Sequence, residues 1–283
     1  MQTYAIDEYI SRGHPAHRGF AAEALSCQDF QGLAAEFSQR EVTVFSTPFD
    51  FRSADFLEEI GAPLFKIASG DVTYVPFLQH IAKKGKPILL STGACSWSEL
   101  DAAVEAIRQE STAELVLLHC TAAYPAPDQD LHLNLIPVLG ERYGLPVGFS
   151  DHSLGTDIAL AGLALGAQVV GKHFTTNQSL DAGDNDMSIL PAELKCLIKG
   201  GRRIALAKGG TTRQVFPSEE EVSVFVHRSM VVRSDMLAGD VLSLSDLAAV
   251  RPSGGIPPSD QDAIVGKRLI RDVQLGSYCD QKT

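Results

Sequence analysis

The sequence predicts an α/β protein of the (β/α)8-barrel type that lacks roughly its first two β/α units and carries a small β-rich domain at its C-terminus. Three observations predict this. From residue 42 to about 208, short apolar runs alternate with amphipathic helical stretches. The runs are almost continuously apolar, as in parallel strands buried on both faces. Each run also ends in polar residues of chemical use, as strands do when their carboxyl ends share one mouth.

Six runs read as strands: VTVF (42–45), LFKI (64–67), PILL (87–90), LVLLH (115–119), PVGF (146–149) and QVVG (168–171). Helical patterns follow them: SADFLEEIG, YVPFLQHIAKKG, SWSELDAAVEAIRQE, NLIPVLGERYG, GTDIALAGLALGA and PAELKCLIKGGRRIALAKGG. Gly61, Gly85, Gly144 and Gly166 close four of these, as glycine does at helix ends. The rival architecture is an open doubly wound sheet, where chemistry gathers at one or two switch points. Here all six strand ends are polar, with Ser46 and Thr47, then Lys66 and ASGD, STG (91–93), HCTAAYP (119–125), SDH (150–152) and KHFTT (172–176). That pattern favours the barrel and leaves two units unaccounted for at the N-terminus.

The texture changes after residue 208. KGGTTRQVFPSEEEVS is polar and carries Gly and Pro, so it reads as a linker whose acidic run (218–221) is solvated. Short strands and turns follow. The expected organisation is a partial barrel over 1–208, a linker over 209–225 and a small β-rich domain over 226–283.

Composition narrows the function. A net charge of −11 argues against general nucleic-acid binding, which needs basic patches. No apolar run reaches the ~18 residues of a membrane helix, and MQTYAIDEYISRGHPAHRGF lacks the apolar core of a secretory signal. Five scattered cysteines without a C-x-x-C pair read as reduced thiols of a cytoplasmic protein.

His152 and His173 end adjacent predicted strands, where two imidazoles about 4.8 Å apart in strand spacing can share one cation. The plainer reading is two satisfied polar histidines. Asp151 and Asp184 are nearby carboxylates that could ligate or orient. Lys66, the third residue of the run LFKI, is costly to bury unless paired. A phosphate or carboxylate would pair it; otherwise it snorkels to water. Thr47, Ser69, Ser91 and Thr92 could donate to phosphate oxygens as a group, though each alone reads as a turn or cap residue. Tyr124 could hydrogen-bond a polar ligand or merely pack its ring, and Cys120 reads as a small buried filler.

Together the motifs FSTPFD, FKIASGD, LLSTGA, LLHCTAAYPAP, GFSDHSLG and KHFTT followed by DND resemble the sialic acid synthase family. The tail GDVLSLSDLAAVRPSGGIPPSDQDAIVGKRLIRDV resembles its antifreeze-like, or SAF, domain of β-clip type. The resemblance runs from about residue 23 to 278. It implies condensation of phosphoenolpyruvate with an N-acylated hexose of the N-acetylmannosamine type, giving a nonulosonic acid and phosphate. His152 and His173 would hold a divalent ion, manganese or magnesium. Lys66, Thr47, Ser69, Ser91 and Ser150 would hold phosphoenolpyruvate; Tyr124 and Asp184 would contact the sugar or order the site. Arg251 would reach the sugar in another subunit's barrel, implying a domain-swapped homodimer.

The chain departs from the family pattern in three places. The N-terminal strand with its glutamate and the strand ending Lys-x-Gln are not recognised in it. A glutamate usual before Lys-His is Gly171, and an asparagine usual two residues before the tyrosine is Ala122. The alternative function is therefore a divergent or truncated relative that binds phosphate and sugar without turnover.

Overall fold

Parallel pairing of short buried strands organises the first of two units, Met1–Gly209; the second is Gly210–Thr283. The structure is a computed structural model, and it describes residues 1–180 and 183–280. The last three residues of the expected C-terminal domain, 281–283, lie outside the described residues.

The first unit runs β1 (Gln2–Thr3), α1 (Ile6–Tyr9), α2 (His17–Glu23), α3 (Cys27–Gln39), β2 (Thr47–Pro48), α4 (Phe51–Glu59), β3 (Phe65–Ile67), α5 (Val75–Lys83) and β4 (Ile88–Ser91). It continues with α6 (Trp97–Glu110), β5 (Leu115–Cys120), α7 (Leu135–Tyr143), β6 (Val147–Asp151), α8 (Asp157–Ala164), β7 (Val170–Lys172) and α9 (Pro191–Lys208). Strands β3 to β7 form one parallel sheet in sequential order. β1 pairs with β2 in parallel, and the bridge from Ser46 to Phe65 joins that pair to β3. This is the half-wound face of an α/β barrel.

Two expectations change. A seventh parallel strand exists: Gln2–Thr3 pairs with Thr47–Pro48, although two residues carry no readable periodicity. The strand expected over 42–45 forms instead over 46–48, because Thr47 N donates to Met1 O and Lys66 N donates to Ser46 O. The ladder follows these backbone partners rather than the most apolar stretch.

Alternation along each strand divides the sheet. Phe65, Ile67, Ile88, Leu90, Leu117 and Phe149 face the helices and form the main core with Phe77 and Ile81 of α5. Register pairs Lys66 with Leu89, Ser91 with Leu118, Cys120 with Ser150, and Ser150 with Gly171, which sets those residues on the opposite face. Gly148 lets β6 and β7 close: a Cβ there would lie 2.6 Å from Leu118 Cδ2 and 2.7 Å from the Val169 carbonyl. At α6 the Ser96 hydroxyl accepts from Glu99 N while Glu99 accepts from Ser96 N, a capping box. α7 stops at Gly144, whose φ of 61° suits a residue without a Cβ.

In the second unit, α10 (Glu220–Val226) precedes an antiparallel pair, β8 (Ser229–Val232) and β9 (Leu247–Val250). Met230, Val232, Leu242, Leu247, Leu269 and Val273 make its core. The acidic run expected as linker is solvent-exposed but helical, since it begins α10.

Candidate active site

Strands β3 to β7 bring their carboxyl ends to one edge of the sheet, and the polar residues that follow them meet there. His152 follows β6 and His173 follows β7; their ring centroids are 5.2 Å apart, edge to face. Tyr124, from the loop after β5, stacks on His152 at 4.2 Å and meets the edge of His173 at 5.7 Å. The half-exposed tyrosine covers the two imidazoles. Its hydroxyl is pushed up to about 12 by burial, with Cys120, Asp184 and Tyr9 adding to the shift.

Each imidazole has one nitrogen already engaged. His152 Nδ1 lies 2.9 Å from the Thr121 carbonyl, which can only accept, so Nδ1 is the donor there and Nε2 is the nitrogen left for a ligand. His173 Nδ1 lies 3.4 Å from Asp184 Oδ2, which orients that ring the same way. Burial holds His173 below its ordinary pKa, against the pull of Asp184. Imidazoles with Nδ1 tied to oxygen are oriented as metal-ligating histidines are. The pair therefore fits a divalent ion held by two protein nitrogens. Among the described residues no group of three His, Cys, Asp or Glu side chains is placed to hold a metal ion. Gly171 contributes none, and a Cβ there would meet only Ser150 Cα and Oγ, each at 3.9 Å.

Lys66 lies close enough for its charge to act on His173. Burial pushes the Lys66 ammonium down from its ordinary pKa, and among the described residues its amine forms no hydrogen bond or ion pair. Ser91 Oγ is buried without a partner among the described residues. Ser69 Oγ accepts from Gly93 N at 3.0 Å. Thr47 and Ser150 are both buried on this side. Burial works against ionising the Cys120 thiol, but His152, Ser69 and Ser150 around it hold its pKa below the ordinary value. Cys120 thus lies among the site's polar groups rather than in an apolar filling.

Other candidates go elsewhere. Thr92 spends its hydroxyl on the Leu118 carbonyl at 3.1 Å, so it is not free to donate to a phosphate. Asp151 is fully buried against Lys172 and does not reach the imidazole pair's open side. His119 turns toward the helices, bonding the Leu131 carbonyl at 2.6 Å. Arg251 is exposed in the second unit, just after β9.

Sequence reasoning passed over Asp71. Its Oδ2 is buried with no hydrogen-bond partner among the described residues, and burial raises its pKa from 3.8 to about 6. Its field also raises the pKa of Tyr9, second to burial. The only signal in the sequence was a carboxylate closing ASGD, two residues after Ser69.

Residues 2–213 match the NeuB family and residues 227–278 match the SAF domain. The chain is 37% identical over 257 residues to N,N'-diacetyllegionaminic acid synthase of Legionella pneumophila, covering 89% of this chain and 72% of that protein. It is 31% identical to pseudaminic acid synthase of Helicobacter pylori, covering 82% and 68%. The crystal structure of N-acetylneuraminic acid (sialic acid) synthetase from Leptospira borgpetersenii superposes with a TM-score of 0.75 at 32% identity, over 78% of this chain and 77% of that one. Among the described residues no helix is long and apolar enough to cross a membrane. The chain belongs to the NeuB family and carries a SAF domain as its C-terminal part.

Proposed function

We propose that the protein condenses phosphoenolpyruvate with an N-acylated hexose, giving a nonulosonic acid and inorganic phosphate. The observation that carries this reading is the largely buried Lys66 ammonium, without a hydrogen-bond or ion-pair partner among the described residues, whose charge reaches one of two imidazoles with Nδ1 already engaged. The first wants an anion; the second pair is prepared for a cation.

Lys66, with the hydroxyls of Thr47, Ser69, Ser91 and Ser150, would hold the phosphate and carboxylate of phosphoenolpyruvate. Anion binding would restore the charge that burial disfavours on Lys66. His152 and His173 would hold a manganese or magnesium ion, which when bound supplies Lewis-acid stabilisation to an aldehyde oxygen. Tyr124 and Asp184 would order the sugar and the second histidine. The alkene carbon of phosphoenolpyruvate bonds to the aldehyde carbon, water adds at C2, and phosphate leaves by C–O cleavage. Lys66 and the hydroxyls offset phosphate charge throughout. Arg251 would reach the sugar held by a partner subunit, making the assembly a domain-swapped dimer, and the protein would work in the cytoplasm.

Gly171, and the want of a third ligand among the described residues, favour a second reading, in which the site binds both substrates without turnover. One experiment separates the two. Incubation with Mn2+, phosphoenolpyruvate and a panel of N-acylated hexoses should release phosphate and yield a nine-carbon keto acid by mass spectrometry. His152→Ala should abolish both. Saturable binding with no product across the panel would leave only the binding reading.

A further inference from the structure

Each histidine is preceded by a charged residue of opposite sign, Asp151 and Lys172, and the register of β6 and β7 sets these two directly opposite one another. Alternation turns them away from the imidazoles, toward the helix side. Their side chains are 0% and 3% exposed. Lys172 Nζ donates to Asp151 Oδ2 at 2.8 Å and to the Ser153 carbonyl at 2.5 Å. Asp151 Oδ1 accepts from Ser153 N at 2.8 Å and from Ser153 Oγ at 2.7 Å. One knot of four bonds thus grips the chain on both sides of His152 and ties it to the residue before His173.

A buried ion pair is a poor device for stability, because desolvation offsets most of the attraction and apolar residues of similar volume do as well. What it adds over an apolar contact is direction and distance. The place that needs them is β7: it is three residues long, only partly buried, and at the margin of the five-stranded sheet. Gly171, the residue before Lys172, has no side chain to pack.

We infer that Lys172, through its buried pair with Asp151, is a positioning residue that sets the spacing of the His152 and His173 imidazoles. The inference rests on the proposed cation site and assigns a role within it. Neither residue touches the cation or substrate.

The test is Mn2+ titration of the full chain, read by electron paramagnetic resonance, for wild type, Lys172→Met and the double variant Asp151→Asn/Lys172→Met. The double variant removes both charges and leaves an oxygen to accept from Ser153, so no unpaired charge is buried. Mn2+ affinity should fall by about 10- to 100-fold in both, the range for partners that orient metal ligands. Phosphoenolpyruvate affinity without Mn2+ should change less than about threefold, and the double variant should melt close to wild type. A folded double variant with wild-type Mn2+ affinity would overturn the inference. So would a double variant that fails to fold, since the pair would then serve stability. Wild type that binds no Mn2+ would overturn the proposed function itself, a result readable before any variant is made.

Discussion

Replacing Asp71 with asparagine should stabilise the first unit and weaken the site. Burial raises the Asp71 pKa from 3.8 to about 6, and its Oδ2 has no partner among the described residues. The folded state therefore binds the proton more tightly than the unfolded chain does. Below the unfolded pKa both states are protonated and the group costs nothing. As pH rises through the window from 3.8 to about 6 the folded state loses ground, and above that the full penalty applies. A shift of roughly two units at 1.4 kcal/mol each is about 3 kcal/mol; screening of this partly exposed group brings it to about 2 kcal/mol. Asparagine resembles the protonated form, so Asp71→Asn should gain about 2 kcal/mol at pH 7.5 and almost nothing at pH 4. Trp97, the single tryptophan, lies in the first unit, so its fluorescence during urea unfolding reports that unit. A variant no more stable at pH 7.5, or equally stabilised at both pH values, would refute the reasoning. Turnover should fall at the same time, because asparagine removes the charge that the buried carboxylate carries at pH 7.5.

Three further outcomes follow from single contacts. Ser91→Ala should leave stability within about 1 kcal/mol, because the hydroxyl bonds nothing among the described residues, yet weaken phosphoenolpyruvate binding about fivefold by calorimetry. Gly148→Ala should destabilise by about 2 kcal/mol in thermal unfolding, because the new methyl lands 2.6 Å from Leu118 Cδ2 and 2.7 Å from a backbone oxygen. Gly171→Glu has room at its Cβ, with nothing nearer than 3.9 Å, and should tighten Mn2+ binding about tenfold or more in the same resonance titration.

The sequence made the strands legible and their ends illegible. The apolar run of β6 stops at Phe149, but the ladder continues through Ser150 and Asp151 to pair with Gly171 and Lys172. Two charges extend a buried strand only because each neutralises the other, and that partnership is not visible in either segment alone. β1 escaped notice because two residues have no period. The stacking of Tyr124 on His152 depends on a loop path, and loops follow no hydrophobic pattern. Thr92 looked like Ser91 in STG, yet one hydroxyl is spent on the Leu118 carbonyl and the other is orphaned. Asp71 drew no notice within ASGD; only its burial sets it apart.

The most direct test of the account follows the bridging oxygen of phosphoenolpyruvate. Substrate labelled with 18O at the C2–O–P position is turned over with Mn2+ and an N-acylated hexose, and the products are weighed by mass spectrometry. Condensation at this site with C–O cleavage predicts the label in the released phosphate and none in the keto acid. Label retained by the keto acid, or turnover that proceeds equally well in Lys66→Met, would contradict it.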